Sequence, residues 1–121
     1  QSEVLFGVGS GELNETGKAD MLKVANALLQ IGSEIPDDIA WVLRVDGHTD
    51  NVPLSGTGRY ADNWELSQAR ALSVVKYFIS QGIPADRLVA AGFGEFQPLD
   101  AEDSDEARAK NRRIELKLTE R

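Results

Sequence analysis

The sequence predicts an α/β (α+β) sandwich, in which two main helices pack on one face of a four-stranded mixed sheet. Apolar runs rich in β-branched residues alternate along the chain with segments whose apolar residues recur at helical spacing. Strands joined by a helix form right-handed crossovers, which makes them parallel. The last apolar segment alternates apolar and polar residues, which indicates a half-exposed strand in an antiparallel or edge position. The predicted order is β-α-β-α-β-(α)-β.

The first half of the chain supplies two strands and one helix. Residues 4–8 form a short apolar run, and the turn residues 9–11 end it. A helix is predicted from about Asn14 to Ile31, with one apolar face. That face consists of Met21, Val24, Ala25, Leu28 and Ile31. The second strand is predicted over residues 39–45, and its C-terminal end leads into the polar residues 46–51.

The second half begins with a loop over residues 51–61, which is rich in Gly, Pro, Ser and Thr. Asp62 and Glu65 form a capping box that opens a helix running to about Ser80. Its predicted buried stripe consists of Trp64, Ala71, Val75, Phe78 and Ile79. A third strand over residues 87–93, a helical turn over 104–110 and a last strand over 114–119 complete the fold.

Length and charge bound the function. A chain of 121 residues fits one domain, here residues 1–121, and its start at Gln1 predicts a piece of a longer protein. A net charge of −7 argues against non-specific binding to nucleic acid or to an anionic membrane. The absence of cysteine excludes disulfides and thiolate sites. We also expect no membrane insertion by this segment, because it contains no apolar run of about 18 residues.

The densest group of candidate functional residues lies at residues 46–51, where a buried strand meets the long loop. Ligands of open α/β sheets bind in the crevice outside the C-terminal strand ends. Arg70 lies about two turns into the second helix, and its side chain leans toward the helix N-terminus. Asp50 and Arg70 are therefore predicted to face one site. The alternative is an ordinary surface ion pair.

Catalytic interpretations of the same residues are weaker. Asp46, His48 and Asp50 offer three ligand atoms, but in a strand they spread over about 13 Å, too far for one ion. His48 is the one histidine, and nothing in the spacing assigns it a nucleophile, so we expect a structural imidazole. Arg112 and Arg113 precede the last strand, and alternation sends at most one of them into the crevice.

Five ordered stretches together resemble the OmpA-like C-terminal domain, and most closely its MotB-type subgroup. The first two read Gly-His-Thr-Asp-Asn-Val-Pro and Asn-Trp-Glu-Leu-Ser-Gln-Ala-Arg-Ala. The stretches are residues 47–53, 63–71, 82–88, 92–98 and 108–115. Because residues 6–29 also resemble the opening strand and helix of the family, the resemblance covers essentially the whole chain. One departure is Glu102-Asp103-Ser104, where the family usually has an Asn-x-Thr turn.

The resemblance implies non-covalent binding of peptidoglycan through the diaminopimelate of its stem peptide. It assigns the ligand pocket to Asp50, Arg70, Thr49, Asn63, Leu66 and Arg112. An acid beside a guanidinium complements the ammonium and carboxylate on one carbon of diaminopimelate. Weak binding at each site would anchor firmly only through many copies on the wall.

The resemblance also implies a periplasmic module of a Gram-negative-type bacterium, attached to a membrane protein or lipoprotein such as a flagellar stator subunit. We expect no catalysis, no cofactor and no metal, and we consider a homodimer because MotB-type relatives act as dimers. Two alternatives stay open from the residues. One is a cell-wall hydrolase using His48 and its acidic neighbours, and the other is a protein-interaction domain with a degenerate groove.

Overall fold

The computed structural model describes residues 5–6, 10–54 and 60–120 of the chain, and these residues form a mixed α+β fold. The helices are α1 (Glu15–Glu34), α2 (Asn63–Ser80) and α3 (Asp105–Asn111). The strands are β1 (Trp41–His48), β2 (Leu88–Gly92) and β3 (Arg113–Glu120), and a 3-10 turn over Ala85–Arg87 precedes β2.

Within the described ranges the sheet has three strands in the order β2-β1-β3. β1 pairs with β2 in parallel and with β3 antiparallel, as the crossover rule and the alternation of the last strand predicted. The first predicted strand, residues 4–8, lies largely outside the described residues. Of its two described residues, Leu5 is helical and Phe6 forms an isolated antiparallel bridge with Leu13. A fourth strand therefore stays a prediction.

A side-chain cap begins each of the three helices α1, α2 and α3, which explains why these helices start where they do. Every cap is a short polar side chain whose oxygen accepts a hydrogen bond from an N–H of the first turn. The pairs are Asn14 with Gly17 (2.7 Å), Asp62 with Glu65 (2.9 Å) and Ser104 with Ala107 (3.1 Å). The predicted start of α2 at the Asp62 cap is confirmed. α1, in contrast, continues past Gly32 to Glu34.

The core lies between the sheet and the two long helices. It consists mainly of Phe6, Met21, Ala25, Leu43, Val45, Ala71, Val74, Val75, Phe78 and Ile83. Three predicted core positions are wrong, because Ile31, Trp64 and Ile79 are 44%, 51% and 42% exposed. The buried face of α2 also contains polar side chains, so its centre lies at Ser67 and Val74, and Trp64 and Ile79 fall at its margin.

Two glycines side by side bring α2 onto the C-terminal edge of the sheet. Gly47 of β1 pairs with Gly92 of β2. A Cβ on Gly47 would lie 2.2 Å from the carbonyl oxygen of Ser67, and one on Gly92 would lie 2.6 Å from the amide nitrogen of Gln68. The first turns of α2 therefore lie against the residues that follow β1. None of the helices in the described ranges combines the length and the apolar character needed to cross a membrane.

Candidate functional site

The candidate site begins where the chain leaves β1. The strand extends to His48, three residues beyond the predicted end, so Thr49 and Asp50 follow the sheet directly. The Thr49 N–H donates to the Gly94 carbonyl (2.9 Å), and its hydroxyl donates to the Asp50 carbonyl (2.9 Å). Because Thr49 is only 4% exposed, this backbone is held in one position.

Asp50 presents a paired carboxylate at the mouth of the site. Its Oδ2 accepts a hydrogen bond from Nη1 of Arg112 (2.7 Å), and its Oδ1 accepts one from the Val52 N–H (3.0 Å). The side chain of Asp50 is 14% exposed and that of Arg112 is 27% exposed. Asn63 reaches the same loop from α2 and donates to the carbonyls of Val52 (3.1 Å) and Asp50 (3.4 Å). An acid and a guanidinium thus lie side by side, partly screened from water.

One face of α2 supplies the remaining predicted residues. Asn63, Leu66 and Arg70 follow each other at helical spacing and are all buried. Arg70 Nε donates to the Ser10 carbonyl (2.9 Å), and its guanidinium lies over the Phe6 ring, 5.1 Å from the centroid. Contacts between described residues therefore join Thr49, Asp50, Asn63 and Arg112 directly. They do not join Asp50 to Arg70, which lies two turns further along the helix.

Ser67 and Gly94 also build the site, although the sequence did not single them out. The Ser67 hydroxyl is fully buried, donates to the Trp64 carbonyl (3.0 Å) and accepts from the Gly94 N–H (3.0 Å). Gly94 adopts φ +61°, a conformation that favours glycine. The Gly94 carbonyl accepts a hydrogen bond from the Thr49 N–H, so the turn at Gly94 connects α2 to the residues that follow β1. Glycines at positions 92 and 94 are the local signal for this turn, because glycine readily adopts positive φ.

His48 lies on the opposite face of the sheet from the core residues of β1. It is 5% exposed and stacks on Phe93, with ring centroids 5.0 Å apart. Burial and the nearby Arg113 lower its pKa, so the imidazole is neutral at pH 7. Neither ring nitrogen makes a hydrogen bond in the described part of the chain. The geometry is that of a packed structural histidine.

The histidine lies near two carboxylates, and together they form the one group that resembles a metal site in the described residues. Ligand atoms of Asp46, His48 and Glu115 lie within 4.8 Å of one another. However, Arg44 already holds Asp46 through two hydrogen bonds of 2.7 and 2.9 Å, and Arg113 holds Glu115. Lys117 lies 4.0 Å from both carboxylates. Three cations oppose two anions here, so a divalent ion would add charge of the wrong sign.

The acidic segment 100–106 leads into α3 and supplies the first turn of that helix. Arg108 donates to Asp103 (2.7 Å) and Asp105 (2.5 Å), and its hydrogen bond lowers the pKa of Asp105. Asn111 accepts from the Leu99 and Asp100 amides (2.8 and 3.1 Å). Carboxylates of the acidic segment thus bind Arg108, while Arg112 binds Asp50.

The chain matches the OmpA family over residues 5–112. It is 42% identical over 109 residues to YtxE of Bacillus subtilis (strain 168), a match that covers 86% of this chain and 43% of that protein. The chain spans about half the length of the curated relatives it matches.

Solved structures share the fold over nearly the whole chain. A MotB-like protein from Desulfovibrio vulgaris aligns with a TM-score of 0.87 and 36% identity, covering 99% of this chain and 70% of that one. The cell wall anchor of the T6SS from Pseudomonas aeruginosa aligns with a TM-score of 0.82 and 32% identity, covering 98% of this chain and 76% of that one.

Proposed function

The chain belongs to the OmpA family, and we propose that it binds peptidoglycan non-covalently and thereby anchors a larger envelope protein to the cell wall. The observation that carries the proposal is the half-buried pair of Asp50 and Arg112, 2.7 Å apart, beside the N-terminus of α2. The likeness to a solved cell wall anchor supports the anchoring role.

The ligand group that we propose is the diaminopimelate of the stem peptide. Its ammonium would bind the Asp50 carboxylate, whose oxygens can accept about four hydrogen bonds. Its carboxylate would bind a guanidinium bidentately. The resemblance assigns this role to Arg70. Arg112 lies beside Asp50, and this position supports a second guanidinium at the carboxylate of the ligand. Thr49, Asn63 and Leu66 would hold these groups in place.

Binding at one site would be weak. Each charge-assisted hydrogen bond contributes about 1.5–3 kcal/mol, and two or three of them must offset the loss of translational freedom on association. We therefore expect micromolar to millimolar affinity for a free stem peptide. Firm attachment would come from several copies acting on one polymeric wall.

The geometry does not favour the cell-wall hydrolase. His48 is buried on the other face of the sheet, where it stacks on Phe93. A general base must come within about 3 Å of the proton that it takes, directly or through one water, and a buried ring offers substrate no such approach. We propose a binding module without catalysis.

The wider setting is also part of the proposal. We place this domain on the periplasmic side of the envelope, as one segment of a longer protein such as a MotB-like stator subunit. A homodimer is the oligomeric state to test, by light scattering of the purified domain. Residues 1–121 would act as one domain.

Co-sedimentation with purified sacculi tests the proposal. Asp50→Asn should reduce binding by about 10- to 100-fold, the equivalent of one charge-assisted bond. Asp103→Asn is the matched control, because Asp103 also forms a 2.7 Å pair with an arginine but lies outside the site. Equal retention of both variants on sacculi would contradict the site assignment. Failure of the wild type to sediment would contradict the function.

A further inference from the structure

Two large aromatic rings lie exposed beside the proposed site. Trp64 and Phe96 are 51% and 58% exposed, and their rings stack with centroids 5.0 Å apart at an angle of 27°. A Cβ on Gly94 would lie 3.4 Å from Phe96 and 3.5 Å from Trp64, so both rings pack over this turn. Exposed aromatic surface of this kind marks an interaction site more often than a lone apolar side chain does.

The pair is linked to the proposed stem-peptide pocket through the first turn of α2 and through the Gly94 turn. Trp64 directly follows Asn63, whose amide holds the Asp50 loop, and the Gly94 carbonyl accepts the Thr49 N–H. A shallow cleft of about 510 Å³ extends from Trp64 along α2. Its lining residues are Tyr60, Trp64, Glu65, Gln68, Ala69 and Gly92.

The chemistry of this surface favours a neutral ligand with one apolar face and a polar edge. Glu65 and the net charge of −7 disfavour an anion. Aromatic faces carry partial negative charge and attract the partly positive C–H groups of a flat ring. A pyranose has such C–H groups on its face, while its hydroxyl and N-acetyl groups at the edge can bond to polar residues of the cleft.

We propose that Trp64 and Phe96 form a sugar-binding platform that stacks on an N-acetylated pyranose of the glycan strand. This inference rests on the proposed function, because it places the sugar beside the stem-peptide pocket. Three residues of an extended stem peptide span about 10 Å, which sets how far the glycan strand lies from the pocket when the third residue occupies it. The domain would then bind the peptide and the glycan at neighbouring subsites.

Binding of two separate probes tests this platform. The first is a peptide-free N-acetylglucosamine tetramer, and the second is a sugar-free stem peptide ending in diaminopimelate. Trp64→Ala should weaken binding of the tetramer by about tenfold, the equivalent of about 1.4 kcal/mol, and leave binding of the peptide unchanged. Trp64→Phe should retain most of the tetramer binding. Ile79→Ala is the matched control, because Ile79 is 42% exposed on the same helix, about 22 Å further along.

Fluorescence gives a second readout in the folded protein. The chain has two tryptophans, and Trp41→Phe leaves Trp64 as the reporter. Its emission should shift to shorter wavelength when the tetramer binds, and the shift should persist in Asp50→Asn, which separates the platform from the peptide pocket. No shift with the tetramer, or equal affinity of Trp64→Ala and wild type, would overturn the platform. A change in oligomeric state on Trp64→Ala, with tetramer binding intact, would assign the patch to self-association and also overturn it.

Discussion

Gly47→Ala tests the close approach that builds the site. A Cβ at this position would lie 2.2 Å from the Ser67 carbonyl oxygen, whereas ordinary contacts begin at 3.4 Å. The obstacle is helix backbone, which cannot rotate away as a side chain can. α2 must therefore retreat from the sheet by roughly 1 Å, and a gap of that size forfeits about a quarter to a half of the attraction between packed atoms.

We expect Gly47→Ala to lower the free energy of unfolding by about 3 kcal/mol, at the upper end for overpacking. This loss corresponds to a fall in melting temperature of roughly 10 °C. Gly32→Ala is the matched control. A Cβ there would meet the Trp41 ring at 3.1 Å, a side chain that can yield, and alanine gains about 1 kcal/mol of helix propensity. Thermal and urea unfolding of both variants measure the difference.

An unfolding midpoint of Gly47→Ala equal to that of Gly32→Ala would show that α2 does not need this close approach to the sheet. Sacculus binding gives a second check, because retreat of α2 also moves Asn63 away from the Asp50 loop. We expect Gly47→Ala to bind less well even below its melting temperature.

Three further predictions concern single side chains. Burial lowers the pKa of His48, so below about pH 6.5 the unfolded chain binds more protons than the folded protein. The free energy of unfolding should therefore decrease as the pH falls toward the folded pKa. Urea titrations from about pH 7.5 to 5.5 should show this slope, and His48→Gln should reduce it. Ser67→Ala leaves the buried Gly94 N–H without its acceptor and should lower the free energy of unfolding in urea by about 1–3 kcal/mol. An unchanged free energy of unfolding would mean that water replaces the hydroxyl. Asn111→Ala removes the acceptor of the Leu99 amide and should accelerate hydrogen exchange there, whereas unchanged exchange would contradict the bond.

Local signals in the sequence predicted the elements well. The cap at Asp62 begins α2, and Gly82, which adopts φ +101°, lies just after its end; both act over a single turn. The alternation after Arg113 predicted the antiparallel strand. Local patterns failed at positions where the buried side chain is polar. Ser67 and Arg70 are buried side chains that hydrophobic periodicity assigns to the surface, and a helix oriented by its apolar residues alone places the exposed Trp64 in the core.

The site required contacts between distant parts of the chain. The resemblance named Asp50 and Arg112, but 62 residues separate them, and no local pattern predicts that they lie 2.7 Å apart. The same is true of Gly47 and Gly92, whose common role depends on the register of β1 with β2. Each glycine by itself indicates a turn or a flexible position, and only the pairing shows that both make room for α2.

The most direct test of the central claim is a calorimetric titration of the domain with two stem peptides that differ in one residue. One peptide ends in diaminopimelate, and the other ends in lysine, which keeps the side-chain ammonium but lacks the carboxylate on the same carbon. We expect the first peptide to bind, and the second to bind about 10- to 100-fold more weakly because the guanidinium loses its carboxylate partner. Equal affinity for the two peptides, or no heat from either at millimolar concentration, would contradict recognition by a zwitterion-matched pocket.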